Sequence, residues 1–470
     1  MNIAVVRLSP AVRAIQRGAA QAPGVSWAQF GDDLLLFSAG ALDEALAAAA
    51  ASGAAVGRAG ARSVEGELFL VVQKGRLFQQ EHPDVPIALD RGRYLVAAIP
   101  AGRREAIAPG EEPCYRVLPL PQNKVVFEAR TPPAERATPV PWVRQLVGRL
   151  SRSGFEADLQ QLVSYPTRHS ATAHYADAAA WARSRLDALG YVTQSQTVAL
   201  AGGSTQNIIA DKAGAGTGAR DLVLVTAHLD SVNRDGGPDA PAPGADDNGS
   251  GSAGLLAIAG ALAEHTAEHD LRLVLFGGEE QGLRGSAAYV AALPAADRAR
   301  LRAVVNMDMI GARNTPAPTV LLEGAPVSQS LIDALAEAAA TYTGLTVQTS
   351  LSPYASDHVP FIQAGLPAVL TIEGADGAND AIHTASDTLD RIDGDLAMEI
   401  LRMNTAAAAM LIGRGGAMSD IIIQPDLINI LPWLRFQYSG RYVYNGGASA
   451  REELRMAEER IGHNLAVLDQ

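Results

Sequence analysis

The stretch LVLVTAHLD, Leu222 to Asp230, followed at Gly244 by GADDNGSG and then by an apolar run, decides how this chain folds. Leu222 to Thr226 is short and almost wholly apolar, the pattern of a strand buried on both faces. Leu271 to Phe276, Ala303 to Met307, Thr319 to Leu322 and Ala368 to Ile372 repeat it. Helix-like segments alternate with these runs, at Ser252 to Glu264, Leu283 to Leu293, Ser328 to Tyr342 and Leu396 to Ile412. The alternation predicts an α/β fold, with a mostly parallel (mixed) sheet carrying helices on both faces. In such sheets ligands gather outside the carboxyl ends of the strands.

The chemistry-bearing residues fall at those ends. Two-residue spacing at the end of the first strand puts His228 and Asp230 on the same side, where one can bind a metal and the other orient it. Asp246 and Asp247 lie in a glycine-rich turn before a helix. One carboxylate suffices for capping, which leaves the other free to bridge cations. Gly277-Gly278-Glu279-Glu280 follows the strand ending at Phe276, and adjacent glutamates there repel unless one binds a cation and the other can take a proton. Asp308 stands inside an apolar run, where a buried carboxylate needs a partner. His383 adds a second imidazole after the strand ending at Ile372. Two imidazoles and three carboxylates suit two zinc ions.

Around this core the chain is acidic, with 51 Asp and Glu against 38 Lys and Arg and a net charge of −13 in 470 residues. No basic run offers a footprint for nucleic acid or anionic lipid, so neither is expected as a partner. Hydrophobic residues at 48% allow a large core. The single cysteine, Cys114, rules out an intramolecular disulfide and any Cys pair for metal. No 18-residue apolar stretch free of charge reads as a membrane span. No secretory apolar region is visible near the first residues, which favours the cytoplasm. Residues 1 to 130 read as a small α+β unit with strands at Glu67 to Gln73 and Tyr94 to Ile99 around the Ala-rich helix near Ala41 to Ala55. The Pro-rich stretch 131–141 reads as a linker, 142–416 as the main domain, and 417–470, with a charged helix from Ala448, as an extension without legible chemistry.

HLD, GADDNGSG, GGEEQGLRGS, NMDMIG, SDHVPF and IHTASDT, in this order, resemble the M28 zinc aminopeptidases, a family that includes secreted bacterial leucyl aminopeptidases; the likeness covers about residues 142 to 415. It implies a zinc-peptidase-like fold and a dizinc exopeptidase acting on peptides with a free amino terminus. By motif position it implies Asp246 as the bridging carboxylate. His228 and Asp308 would complete one zinc site, and Glu280 and His383 the other. Glu279 would be the general base, with Asp230 holding His228. A cis bond between Asp246 and Asp247 is implied too. Asp357 and His358 match the SDH element, where pocket-wall or supporting roles are expected. Tyr354 is a candidate partner for the reacting carbonyl, and Asp387 an anchor. Relatives with tyrosine before the last histidine differ, because that position is Ile382 here. The family likeness leans toward secretion, against the absent signal, and allows residues 1 to 130 to be either an inhibitory or chaperoning pro-segment or a permanent accessory domain.

Other readings are open. Related dizinc amidohydrolases and carboxypeptidases carry a lid domain between the later ligands, for which the stretch from Asp308 to His383 leaves no room. Glutaminyl-cyclase-like enzymes share the fold but use one zinc. A non-catalytic binding module would have lost a ligand or the base, and neither is missing. The preferred amino-terminal residue and the oligomeric state are not legible.

Overall fold

Strand β13 (Leu222–His228) of the computed structural model shows why the central runs are apolar throughout, since all seven of its residues are buried. Val223, Val225 and Ala227 face one hydrophobic cluster while Leu222 and Leu224 face another on the opposite side. The structure describes residues 1–415 apart from 10–11, 57–60, 101, 104–106, 108–114 and 131–135. The expectations for 417–470, for Cys114 and for the first half of the linker lie outside the described residues.

The chain opens with β1 (Asn2–Arg7), β2 (Ser26–Phe30), β3 (Asp33–Ser38) and the two-residue β4 (Ala55–Val56) and β5 (Arg62–Ser63). A separate antiparallel sheet follows, made of β6 (Glu67–Gln73), β7 (Ile87–Arg91), β8 (Tyr94–Ile99) and β9 (Tyr115–Pro119) in the order β7, β8, β6, β9. After β10 (Lys124–Ala129) come β11 (Val192–Leu200), β12 (Gly203–Lys212) and β13, then β14 (Asp270–Phe276) and β15 (Leu301–Met307). The last strands are β16 (Thr319–Glu323), β17 (Thr346–Ser350) and β18 (Ala368–Glu373).

The large sheet runs β11, β12, β14, β13, β15, β18, β16, β17, β10, β2, β3, β1, β4. Its centre, β14, β13, β15 and β18, is parallel, and antiparallel strands flank it. Helices Arg152–Val163, Ala173–Ala188, Gly251–Leu262, Gln329–Tyr342 and Gly394–Ile412 cover one face, and Arg284–Ala292 and His358–Gln363 the other. The chain leaves β13 toward β14 on one side and later returns to β15 on the other. The connections therefore diverge above the carboxyl ends of these strands and open a crevice there.

Residues 1–130 differ from the expected small unit in one respect. Strand β10 pairs antiparallel with β17, Phe127 opposite Ser350, so that β10, β2, β3, β1 and β4 extend the main sheet. Ala28, Phe30, Leu70, Val96 and Val126 share one buried cluster with Leu321, Leu370, Ile372 and Ile382. Burial of that apolar surface on both sides ties the amino-terminal part to the rest of the chain. From the second sheet, the loop after β6 reaches the crevice with Lys74, whose Nζ lies 3.0 Å from Glu279 Oε1.

Candidate active site

The parallel centre delivers its strand-end residues to one place. His228 is the last residue of β13, and its Nε2 lies 3.1 Å from Asp247 Oδ1 and 3.2 Å from Asp308 Oδ1. His383 Nε2 lies 3.0 Å from both Asp247 Oδ2 and Glu280 Oε2. All these groups are buried. Two sets of three potential ligands result, His228, Asp247, Asp308 and Asp247, Glu280, His383, which share Asp247; a third set joins His228 to Glu279 and Glu280.

The central carboxylate is therefore Asp247, a correction to the expectation for Asp246. Asp246 turns away: its Oδ1 accepts from the Gly311 N–H at 2.8 Å and its Oδ2 from Asn379 Nδ2 at 2.9 Å. The physical reason is the turn itself. Asp387 accepts the N–H groups of Asp246 and Asp247 on its two oxygens, each at 2.9 Å, and non-helical backbone at Asp247 and Asn248 swings the second carboxylate into the crevice. The cis bond is Asp247-Asn248, one residue later than expected. Charge follows the geometry. Burial, with Asp387 close by, pushes the Asp246 carboxyl up to about 8, whereas Asp247, despite burial, is held well below the usual range by Lys74, His228 and His383.

Asp230 also differs in detail. His228 Nδ1 lies 3.2 Å from the main-chain oxygen of Asp230 and 3.6 Å from its carboxylate. The carboxylate instead accepts the N–H groups of Glu279 and Glu280, at 3.3 and 3.1 Å, and so sets the turn that presents both glutamates. Gly277 before that turn must lack a side chain, because a Cβ there would lie 2.2 Å from the Tyr175 hydroxyl.

Sequence reasoning missed several supports. Arg168, fully buried, donates to the carbonyl oxygens of Leu229, Leu162, Pro243 and Gly244, clamping the loops after β13 to each other. Ser356 Oγ donates to Asp308 Oδ2 at 2.7 Å and accepts from Asn306 Nδ2 at 2.9 Å, fixing that carboxylate. Asn248 Nδ2 donates to the Met307 carbonyl at 2.9 Å and ties the acidic turn to β15. Polar residues of this kind have no local signature. Lys74, from the loop after β6, was missed as well; its Nζ lies 3.0 Å from Glu279 Oε1 and 3.7 Å from Asp308 Oδ2. Asp357 and His358 are buried in the interior rather than lining a pocket wall, with His358 Nε2 3.5 Å from Glu323. Tyr354 is buried with its main chain strung between Arg93 and Glu323. His82 and His265 are half-buried, against Tyr115 and Trp142.

The donor set fits a cation. Neither oxygen of Asp247 accepts a well-aligned hydrogen bond although both face imidazole nitrogens within 3.1 Å, and Glu280 Oε1 is likewise without a donor. Burying carboxylate oxygens without a donor is costly unless a metal takes that place. Burial pushes the Glu279 carboxyl well above its ordinary range, against the pull of Lys74 and His228. Asp308, in contrast, is drawn down to about 2 in spite of burial by the same two neighbours.

Comparisons with known proteins bear on family and fold. The model of peptidase family M28 matches residues 207–408. A probable leucine aminopeptidase of Arthroderma otae is 30% identical over 269 residues, covering 53% of this chain and 71% of its own length. Leupeptin-inactivating enzyme 1 of Streptomyces exfoliatus is 35% identical over 201 residues, covering 42% of each chain. An aminopeptidase of Bacillus subtilis is 30% identical over 207 residues, 43% of this chain and 44% of that one. The match thus spans less than half the length of the latter two relatives. The crystal structure of the LapA aminopeptidase of Legionella pneumophila superposes with a TM-score of 0.53 at 18% identity, over 75% of this chain and all of that one, a likeness of fold. With strand order, site geometry and these relatives in agreement, the chain belongs to peptidase family M28.

Proposed function

We propose that the chain is a zinc-dependent aminopeptidase that holds two metal ions and hydrolyses the amino-terminal bond of peptides, with Glu279 as general base. The observation that carries this reading is Asp247, a buried carboxylate whose oxygens each face one imidazole without a well-aligned hydrogen bond. His228, Asp247 and Asp308 would hold one ion, and Asp247, Glu280 and His383 the other, Asp247 replacing Asp246 as the shared ligand. Bound there, an ion pair supplies polarisation of the scissile carbonyl and a more acidic water. The relatives' names support removal of amino-terminal residues.

The chain's own residues account for the rest. Glu279 takes a proton from the attacking water and returns it to the leaving nitrogen, first as base and then as acid. Asp230 holds that glutamate's backbone in place. Ser356 fixes the second oxygen of Asp308, leaving the oxygen that faces His228 for the ion.

Metal analysis by mass spectrometry, alongside hydrolysis of leucine p-nitroanilide, tests the proposal. Two zinc ions per chain are expected, with activity abolished by a chelator. Glu279→Gln should keep both ions and lose roughly 10²–10⁴-fold in rate, the usual weight of a positioned acid or base. One ion or none, with no amino-acid anilide cleaved, overturns it.

A further inference from the structure

Lys74 brings a cation into the crevice from outside the family-matched segment. It follows β6, and its backbone is closely held: the Gln73 N–H donates to the Arg93 carbonyl at 2.9 Å, and Gln73 Oε1 accepts the N–H of Phe78 at 3.1 Å. Gly75, at φ +50°, lets the loop press on the residue before His383, since a Cβ there would come within 2.8 Å of Ile382 Cγ2. Lys74 itself is 5% exposed. Of the three N–H donors on its ammonium, one is accounted for by Glu279 Oε1 at 3.0 Å.

We propose that Lys74 is a specificity residue that binds the carboxyl-terminal carboxylate of a dipeptide, making short free-acid peptides the preferred substrate class. The inference rests on the aminopeptidase reading above and follows from the position of Glu279. A group that protonates the leaving nitrogen must lie roughly 2.6–3.2 Å from it. In a dipeptide that nitrogen is two bonds from the free carboxylate, so an ammonium 3.0 Å from Glu279 can reach the glutamate and the substrate carboxylate together. In a longer peptide the same place holds a neutral carbonyl, and a charge-assisted hydrogen bond is about twice as strong as a neutral one.

Beside the crevice, Arg76, Leu77 and Gln80 line a cavity of about 210 Å³ together with Arg234, Ile382 and His383. Asp235 and Asp380 at its edge are exposed, and Asp380 pairs with Arg391 at 3.3 Å. The sheet that carries Lys74 shares a buried cluster with the rest of the chain, through Leu68, Leu70 and Val72 against Leu321 and Leu370.

The test compares leucyl-glycine with leucyl-glycinamide on the zinc-loaded full chain. The free acid should have at least 10-fold higher kcat/KM, through KM; Lys74→Met should bring the ratio near one, and Lys74→Arg should keep most of it. Calorimetry with D-leucyl-glycine and its amide should show the same order of binding without turnover. Equal kcat/KM for acid and amide in the wild-type chain overturns the proposal even if the variants do not fold. So does a Lys74→Met variant that speeds both substrates equally, which would make Lys74 a self-block. Cleavage of neither compound by the metal-loaded chain overturns the aminopeptidase reading itself, a distinct result.

Discussion

Two buried acidic clusters lie near one another in this molecule and resolve their charge in opposite ways. In one, Arg93 donates to both oxygens of Glu323 at 2.9 Å, to Asp376 at 3.1 Å and to the Tyr354 carbonyl at 2.8 Å, while the Tyr94 hydroxyl donates to Glu323 at 2.6 Å. In the other, Asp247, Glu279, Glu280 and Asp308 converge on two imidazoles and Lys74, and three of their oxygens receive no donor. The first cluster carries its own fixed cation in bidentate geometry and is structurally complete. On the proposed reading, metal ions complete the second. Burial and acidity are common to both, so the missing donors distinguish a binding site from a brace.

The comparison would break most visibly at the acidic turn. Asp247→Asn should reduce metal affinity by more than 100-fold, beyond the roughly 10–100-fold typical when a residue merely supporting a ligand is lost. Asp246→Asn should retain the full metal content, because the Asp246 oxygens face Gly311 and Asn379 rather than the imidazoles. Metal content of the two purified variants decides, and the reverse outcome would restore Asp246 to the centre.

At the brace the expected effect is on stability. Arg93→Met leaves two carboxylates buried without their cation and should cost about 3–5 kcal/mol in urea unfolding measured with chelator present. A loss under about 1 kcal/mol would mean that this cluster, too, tolerates an open charge.

A smaller effect comes from pH. Glu323, in spite of burial, is lowered by Arg93 from 4.5 to about 2. A depressed folded-state value stabilises above the unfolded value and is lost as pH falls through the folded one, so this contribution fades between about pH 4.5 and 2. Asp376, raised by burial, acts in the opposite sense above 3.8, so the comparison is Glu323→Gln against wild type. The variant should show a shallower loss of stability across that window in acid unfolding followed by circular dichroism, the term at stake being on the order of 3 kcal/mol.

The parallel centre was legible because its strands are buried on both faces, so Leu222 to Thr226 and its fellows announce themselves by composition alone. The site was legible for a related reason: carboxylates and histidines at the ends of such strands have no core role to explain them. Asp246 and Asp247 could not be told apart, since they are chemically identical neighbours and only the backbone path through Asn248 decides which one enters the crevice. The edge hairpin β11 and β12 was missed because VTQSQTVAL is half-exposed and largely polar. The extension of the sheet was missed because β10 and β17 lie far apart in sequence, and nothing in KVVFEA or TVQTS names its partner. Lys74 escaped for the same reason, as one lysine among ordinary surface-like residues whose partners lie about 200 positions away.

The pairing of Phe127 with Ser350 also sets a timetable for biosynthesis. Strand β10 is made more than 200 residues before the strand that covers its edge, which at roughly 5–20 residues per second is an interval on the order of 10–40 s. During that time the nascent chain holds an unpaired strand edge beside half of an apolar cluster, a template for wrong partners. Chaperone occupancy on the ribosome should therefore be highest while the middle of the chain is being translated, and fall once β17 emerges.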